Sequence, residues 1–150
     1  MTVKRIIYPP MWLVFGIVAI FVCNEYFPGL RFTSSLGHWL GGVLLLAGLT
    51  LLVIAGGRFK RAGTDMVPFR EVSALVTGGV YRWTRNPMYL GMTLILFATA
   101  VTVGAATALL IPPLFMLIIQ WRYILPEESL LEERFGADYR AYRQRVRRWL

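Results

Sequence analysis

Leu75-Val-Thr-Gly-Gly-Val-Tyr-Arg-Trp-Thr-Arg-Asn-Pro-Met-Tyr-Leu-Gly91 is the stretch whose reading decides the fold. It packs turn residues, three aromatics and two arginines into the start of the longest uncharged run in the chain. That run, Asn86 to Trp121, is 36 residues without Asp, Glu, Lys or Arg. Polar groups at such depth need partners, because hydrocarbon offers none. One reading is a basic cytoplasmic loop, with Asn86-Pro87 starting a membrane helix. The other is a wall of a binding site, and a second polar cluster, Glu127-Glu128, just past the same run, argues for it.

Working outward, Phe32 to Gly57 is another charge-free run, of 26 residues. A helix needs about 20 apolar residues to cross a bilayer. Hydrophobic residues make up 57% of the 150, too many for an ordinary soluble domain. The composition therefore gives one integral membrane domain over residues 1–150. The net charge of +8 invites a nucleic-acid reading, but the arginines flank apolar runs, as in cytoplasmic loops facing an anionic leaflet. Nucleic acid is excluded as a partner on that distribution, and the lipid bilayer takes its place. Cys23 is a lone cysteine, so no intrachain disulfide forms, and the single His38 builds no metal site. Lys4 and Arg5 before an apolar stretch resemble a signal peptide. Asn24-Glu25-Tyr26 lacks a small-residue cleavage pattern, so the segment reads as a retained anchor.

Four spans are expected. The first covers about Ile6–Phe27, with Pro9-Pro10 in its first turn and Tyr8, Trp12 and Tyr26 at headgroup level. The second covers about Leu36–Gly57, where Gly37 and Gly41 form a small-xxx-small pair. The 36-residue run would be about 54 Å long as one helix, against a core of about 30 Å. It should break at Val103-Gly104 into Pro87–Val103 and Ala105–Tyr123, the latter kinked at Pro112-Pro113. Between the second and third spans, Arg58 to Arg85 reads as a structured loop containing Pro68 and Arg70, with a short helical turn near Phe69–Leu75. Lys and Arg number two before the first span, six in that loop and seven from Arg122, at the end of the fourth span, onward, against one (Arg31) in the first short turn. The loop and both termini should thus face the cytoplasm, of a bacterial inner membrane. Pro126 to Leu150 reads as one amphipathic helix, acidic at its start and basic at its end, loosened at Gly136. At about 100° per residue, Glu128 falls on its apolar stripe with Leu131 and Phe135. A buried acid there meets either a loop arginine such as Arg82 or Arg85, or a ligand.

These residues together resemble the isoprenylcysteine carboxyl methyltransferase superfamily, which includes phospholipid methyltransferases. The resemblance runs from the Leu75–Gly91 stretch through Glu127-Glu128 to Leu131, Phe135-Gly136, Tyr139, Tyr142 and Val146-Arg-Arg-Trp-Leu150, and covers about residues 68–150. Asn86 stands where many members have His, and Val80 where Pro is frequent. The resemblance implies an S-adenosylmethionine-dependent enzyme acting on a lipophilic or amphiphilic small molecule that arrives from the membrane. It implies a cofactor wall of Val76, Thr77, Gly78, Gly79, Val80, Tyr81 and Arg82, with Pro87, Tyr89 and Gly91 heading the next helix. Tyr81 and Tyr89 would face the cofactor's sulfonium. Glu127 or Glu128 would accept hydrogen bonds from its ribose or ammonium. Arg85 and Asn86 would hold a carboxylate or the acceptor, and Arg148 would pair with Glu128 or steady the acceptor. In-line methyl transfer asks chiefly for positioning and water exclusion, so no metal or nucleophile triad is required. An NADPH-dependent membrane reductase related to sterol reductases and a non-catalytic membrane adaptor are the rival readings. The sequence fixes neither the methyl acceptor nor the oligomeric state.

Overall fold

The computed structural model describes residues 7–32, 34–63 and 73–150. It is built from six α-helices: α1 (Pro9–Tyr26), α2 (Ser35–Arg61), α3 (Pro87–Val103), α4 (Ile111–Ile119), α5 (Leu125–Phe135) and α6 (Ala137–Arg145). Short 3-10 turns occupy Gly79–Arg82 and Ala106–Leu110, and a π turn, Gln120–Ile124, joins α4 to α5 without a break. Among the described residues there is no strand, only two isolated bridges. Three helical stretches are long and apolar enough to cross a membrane: Pro9–Tyr26, Ser35–Arg61 and Ala106–Phe135. The 17-residue α3 is equally apolar but shorter. The protein is an all-α integral membrane protein, with three full-length candidate spans where four were expected.

Local chemistry explains most boundaries. The Ser34 Oγ caps α2 by accepting from the Gly37 N–H at 3.1 Å. Pro87 opens α3, and Gly104 ends it in the left-handed region at φ 72°, as the Val103-Gly104 break required. Other expectations are corrected. Helix α2 continues past Gly57 to Arg61, because Arg58, Lys60 and Arg61 suit the negative end of its dipole. At about 40 Å it also exceeds the hydrocarbon core, so its last turn can carry charge. Pro112-Pro113 does not kink a mid-helix: both lie in the first turn of α4, where a missing N–H costs nothing. The irregularity falls two turns later, at the π turn, and the helix runs past Tyr123 to Phe135. The single helix expected over Pro126–Leu150 is instead two, broken at Gly136 (φ 51°, ψ −117°), and Val146 turns extended. Of the helical turn expected near Phe69–Leu75, residues 69–72 lie outside the described residues, as do Pro68 and Arg70, and residues 73–75 are not helical.

Helices α2 and α3 pack through glycine. A methyl group on Gly48 would stand 2.7 Å from the Gly91 carbonyl oxygen, and one on Gly91 2.9 Å from that of Gly48. One turn-pair away, a methyl on Gly41 would meet Thr102 Oγ1 at 2.0 Å, and one on Gly37 the Val101 carbonyl at 3.4 Å. Backbones thus approach closely where lipid supplies no hydrophobic drive. Helix α1 covers the other side of α3, burying Ile20 with Leu96, Phe115 and Ile119. The outer faces of α1 and α2 expose Val18, Phe21, Trp39, Leu46 and Val53, as lipid contact demands.

The two ends of the bundle differ. At one end the α1–α2 and α3–α4 connections zip together: the Phe32 N–H donates to Gly104 O and the Ala106 N–H to Leu30 O, both at 2.9 Å. At the other end lie Ile7, the end of α2, the loop around Gly79, the start of α3, and α5–α6. Those pieces form the site.

Candidate functional site

The loop before α3 is shaped by Gly78-Gly79. Gly79 has φ 63°, and a methyl group there would sit 2.7 Å from Arg58 Nη2, so the pair admits the Arg58 guanidinium over the turn. The following 3-10 turn buries Tyr81, whose ring meets Phe59 edge-on at 5.6 Å. Its carbonyl accepts from the Tyr142 hydroxyl at 2.7 Å, tying α6 to the loop.

Thr84, Arg85 and Asn86 are held by the closing segment Val146–Leu150. The Arg85 N–H donates to Arg147 O at 2.9 Å, Asn86 Nδ2 to Arg148 O at 2.9 Å, and Thr84 Oγ1 to Arg148 O at 3.2 Å. This short parallel pairing brings two arginines onto one carboxylate. Glu128 Oε1 accepts from Arg85 Nη2 at 2.7 Å and from Arg148 Nε at 2.9 Å, while Oε2 accepts from Arg148 Nη2 at 2.8 Å. Both the Arg85 and Glu128 side chains are 9% exposed. Arg85 Nη1 also donates to the carbonyls of Arg143 and Val146. Its Nε is the one buried side-chain polar atom without a partner among the described residues. Of the two partners open to Glu128, the loop arginine is therefore engaged, and it is Arg85 rather than Arg82.

Glu127, the neighbouring acid, points to a different place. Its Oε1 accepts from the Tyr89 hydroxyl at 2.8 Å. Between the two acid contacts opens a cavity of about 440 Å³, within the range of about 300–1,000 Å³ common for small-molecule sites. Its walls are mostly apolar or aromatic, including Leu75, Val76, Met88 and Leu131, with Tyr81, Tyr139 and Tyr142 on one side. Burial, first of all causes, raises the phenol pKa of Tyr81 and Tyr142, and pushes that of Tyr139 up to about 12. These hydroxyls are neutral across the physiological range, and that of Tyr142 donates to the Tyr81 carbonyl.

Of the residues singled out from sequence, Val76, Tyr81, Arg85, Asn86, Pro87, Tyr89, Glu127 and Glu128 line this cavity. Arg148 reaches it through Glu128. Thr77, Gly78, Gly79, Val80 and Arg82 are not part of its lining; the glycines meet Arg58 instead, and Arg82 is exposed. Gly91 faces Gly48 at the helix crossing, away from the cavity. Sequence reasoning missed Phe59 and the wall formed by Tyr8, Pro9 and Pro10. Tyr8 carried a signal, a polar-tipped aromatic at a helix start, but it reads equally well as a headgroup anchor.

The comparisons with known proteins converge. The phospholipid methyltransferase family model matches residues 36–138. The protein-S-isoprenylcysteine O-methyltransferase of Saccharomyces cerevisiae is 31% identical over 88% of this chain and 58% of its own length. That of Tribolium castaneum is 30% identical over 86% of this chain and 46% of its own. An uncharacterized Haemophilus influenzae protein is 46% identical over 63 residues, which is 42% of this chain and all of that protein. Among solved structures, a eukaryotic intramembrane Ras methyltransferase, isoprenylcysteine carboxyl methyltransferase, superposes with a TM-score of 0.57 at 24% identity, covering 94% of this chain and 51% of that one. The chain thus spans about half the length of the named methyltransferases it matches. With the matched region containing the signature loop, the acidic pair and most of the helices that bring them together, the chain belongs to the phospholipid methyltransferase family, within the isoprenylcysteine carboxyl methyltransferase superfamily.

Proposed function

We propose that this protein is an S-adenosylmethionine-dependent methyltransferase acting on a lipophilic or amphiphilic small molecule at the membrane. The observation that carries this reading is the meeting of two polar segments remote in sequence: Tyr89 on Glu127 and Arg85 on Glu128, with an apolar cavity between. The donor set fits the cofactor. A carboxylate and buried aromatic faces suit a cationic sulfonium and ammonium, and the apolar slot at Leu75, Val76 and Phe59 suits a purine. The unpartnered Arg85 Nε is a donor that a bound carboxylate would satisfy.

When bound, S-adenosylmethionine supplies a methyl group on a sulfur that is already a good leaving group. The chain's own work is then positioning. Glu127 accepts from the Tyr89 hydroxyl and has lone pairs to accept from ribose hydroxyls or an ammonium. Arg85 and Asn86 are the groups to hold a carboxylate or the acceptor, while the Arg85–Glu128–Arg148 cluster fixes their geometry. Tyr8, Pro9, Leu130 and Leu131 belong to the largely apolar lining that would keep water from the reacting atoms, and correct orientation of the reactants is worth roughly 7–11 kcal/mol of barrier. Of the family-implied wall, Thr77–Val80 and Arg82 act on loop shape and Gly91 on helix packing.

The basic residues of α2's last turn, the loop and α6 orient the site toward the cytoplasm of a bacterial inner membrane, with Ile7 and Leu150 on that side. Counting α3 with the three longer stretches gives four crossings, and residues 1–150 act as one domain with the cofactor part near 68–150.

The test is calorimetry with S-adenosylhomocysteine on the purified protein. Binding is expected for the wild type, about tenfold weaker for Glu127→Gln. Tyr89→Ala should lower methyl transfer from labelled S-adenosylmethionine more than it lowers expression. Tritium transfer from NADPH with no S-adenosylhomocysteine binding would replace this reading with the reductase.

A further inference from the structure

The π turn Gln120–Ile124 sits away from the cavity lining, yet both ends of the described chain are fastened to it. Its Gln120 Oε1 accepts from Trp149 Nε1 at 2.9 Å. Its Tyr123, buried at 1% exposure, donates its hydroxyl to the Ile7 carbonyl and accepts from Trp12 Nε1 at 3.1 Å. Ile7 immediately precedes Tyr8, Pro9 and Pro10, which wall the cavity, and Trp149 immediately follows Arg148, which grips Glu128.

The turn also sets the phase of the acids. In an uninterrupted α-helix, Glu128 would lie about 180° from the buried Ile119, nine residues earlier. The extra residue held in the π turn rotates everything after it back by about 100°. Ile119, Tyr123, Ile124 and Glu128 are accordingly all buried. Gln120 interrupts an otherwise apolar stretch, and its amide oxygen meets the indole N–H.

We infer that Gln120, Tyr123 and Trp149 are positioning residues: the π turn they occupy or fasten aims Glu127-Glu128 at the site and clamps Arg148 and the Tyr8–Pro10 wall against it. This rests on the methyltransferase reading for the ligand, though not for the tether. Without the Trp149–Gln120 bond, the segment Val146–Leu150 keeps its backbone pairing to Thr84–Asn86 but loses the anchor beyond Arg148. Arg148 then shares Glu128 less completely, and Arg85 moves with it.

The full chain in lipid nanodiscs is compared by hydrogen exchange over residues 146–150 and by S-adenosylhomocysteine calorimetry. Trp149→Phe keeps an aromatic ring but removes the indole N–H together with the five-membered ring that carries it. It should speed exchange at 146–150 and weaken binding roughly tenfold while the protein stays folded. Gln120→Leu should do the same, and Gln120→Glu, which keeps an acceptor oxygen at the same reach, should restore both. Deleting the exposed Trp121 should regularise the helix, swing the acids away and remove binding; if that variant does not fold, Trp149→Phe decides. Unaltered exchange, unaltered affinity, or no rescue by Gln120→Glu would overturn the inference. A wild type that does not bind S-adenosylhomocysteine counts instead against the methyltransferase reading, and the exchange comparison alone then decides the tether.

Discussion

Two regions of this molecule solve the same problem by opposite means. At the α2–α3 crossing, Gly48 and Gly91 hold the fold by having no side chain, so that carbonyl oxygens lie where a methyl group would go. At the cavity, Arg85, Glu128 and Arg148 hold it by having large and strongly polar ones, both arginines donating to the one carboxylate. In lipid an apolar surface gains nothing by meeting another apolar surface, so shape decides the first region. A buried charge is costly unless it meets its opposite, so pairing decides the second. The first is indifferent to any ligand; the second leaves one buried donor, Arg85 Nε, without a partner. A site that must accept a ligand is built from the interaction that can be shared.

The sharpest way to break this contrast is Glu128→Ala. It strands Arg85 with its charge buried and should destabilise the protein by about 3–5 kcal/mol, read from unfolding in mixed micelles. A loss under about 1 kcal/mol would mean the cluster relaxes into solvent. Next, Gly48→Ala places a methyl against the Gly91 carbonyl and should cost about 1–3 kcal/mol by overpacking. Gly42→Ala, on the same helix with open space around it, should be neutral or slightly stabilising, because alanine is the better helix former; equal losses at the two positions would show that close approach to Gly91 does not set the cost. The smallest effect is reserved for an exposed pair. Glu132 sits 3.0 Å from Arg143 and 3.8 Å from Arg140, all solvent-accessible. Glu132→Ala should change stability by less than about 1 kcal/mol and fade with salt. A larger loss would place Glu132 among the groups that seat α6.

The lesson about legibility follows the same division. The break at Gly104 and the bounds of α3 could be read directly, because a left-handed glycine and a proline at the first helical position are local devices. Glu128 could be read as buried because 3.6-residue periodicity is local too. Its partner could be narrowed to a loop arginine, but the choice of Arg85 over Arg82 needed the closing segment that pairs with Thr84–Asn86. The two glycines at 78 and 79 looked like a cofactor cradle and serve Arg58. Gly91 looked like part of the site and serves Gly48. In both cases the sequence reports that a side chain is absent and is silent on what occupies the space.

By itself, then, the sequence determined an all-helical membrane chain, its charged and uncharged stretches, and the two polar segments that identify its family. These are properties of hydropathy, helical period and local backbone preference, each set within a few turns. Only the tertiary structure decided that α5 and α6 part at Gly136, that a π turn rotates the acids inward, that Tyr8–Pro10 wall the cavity, and that Val146–Leu150 brace the Arg85–Glu128 pair beside it. Those outcomes depend on which distant surface each segment meets, and that is fixed by packing and hydrogen-bond satisfaction across the whole bundle.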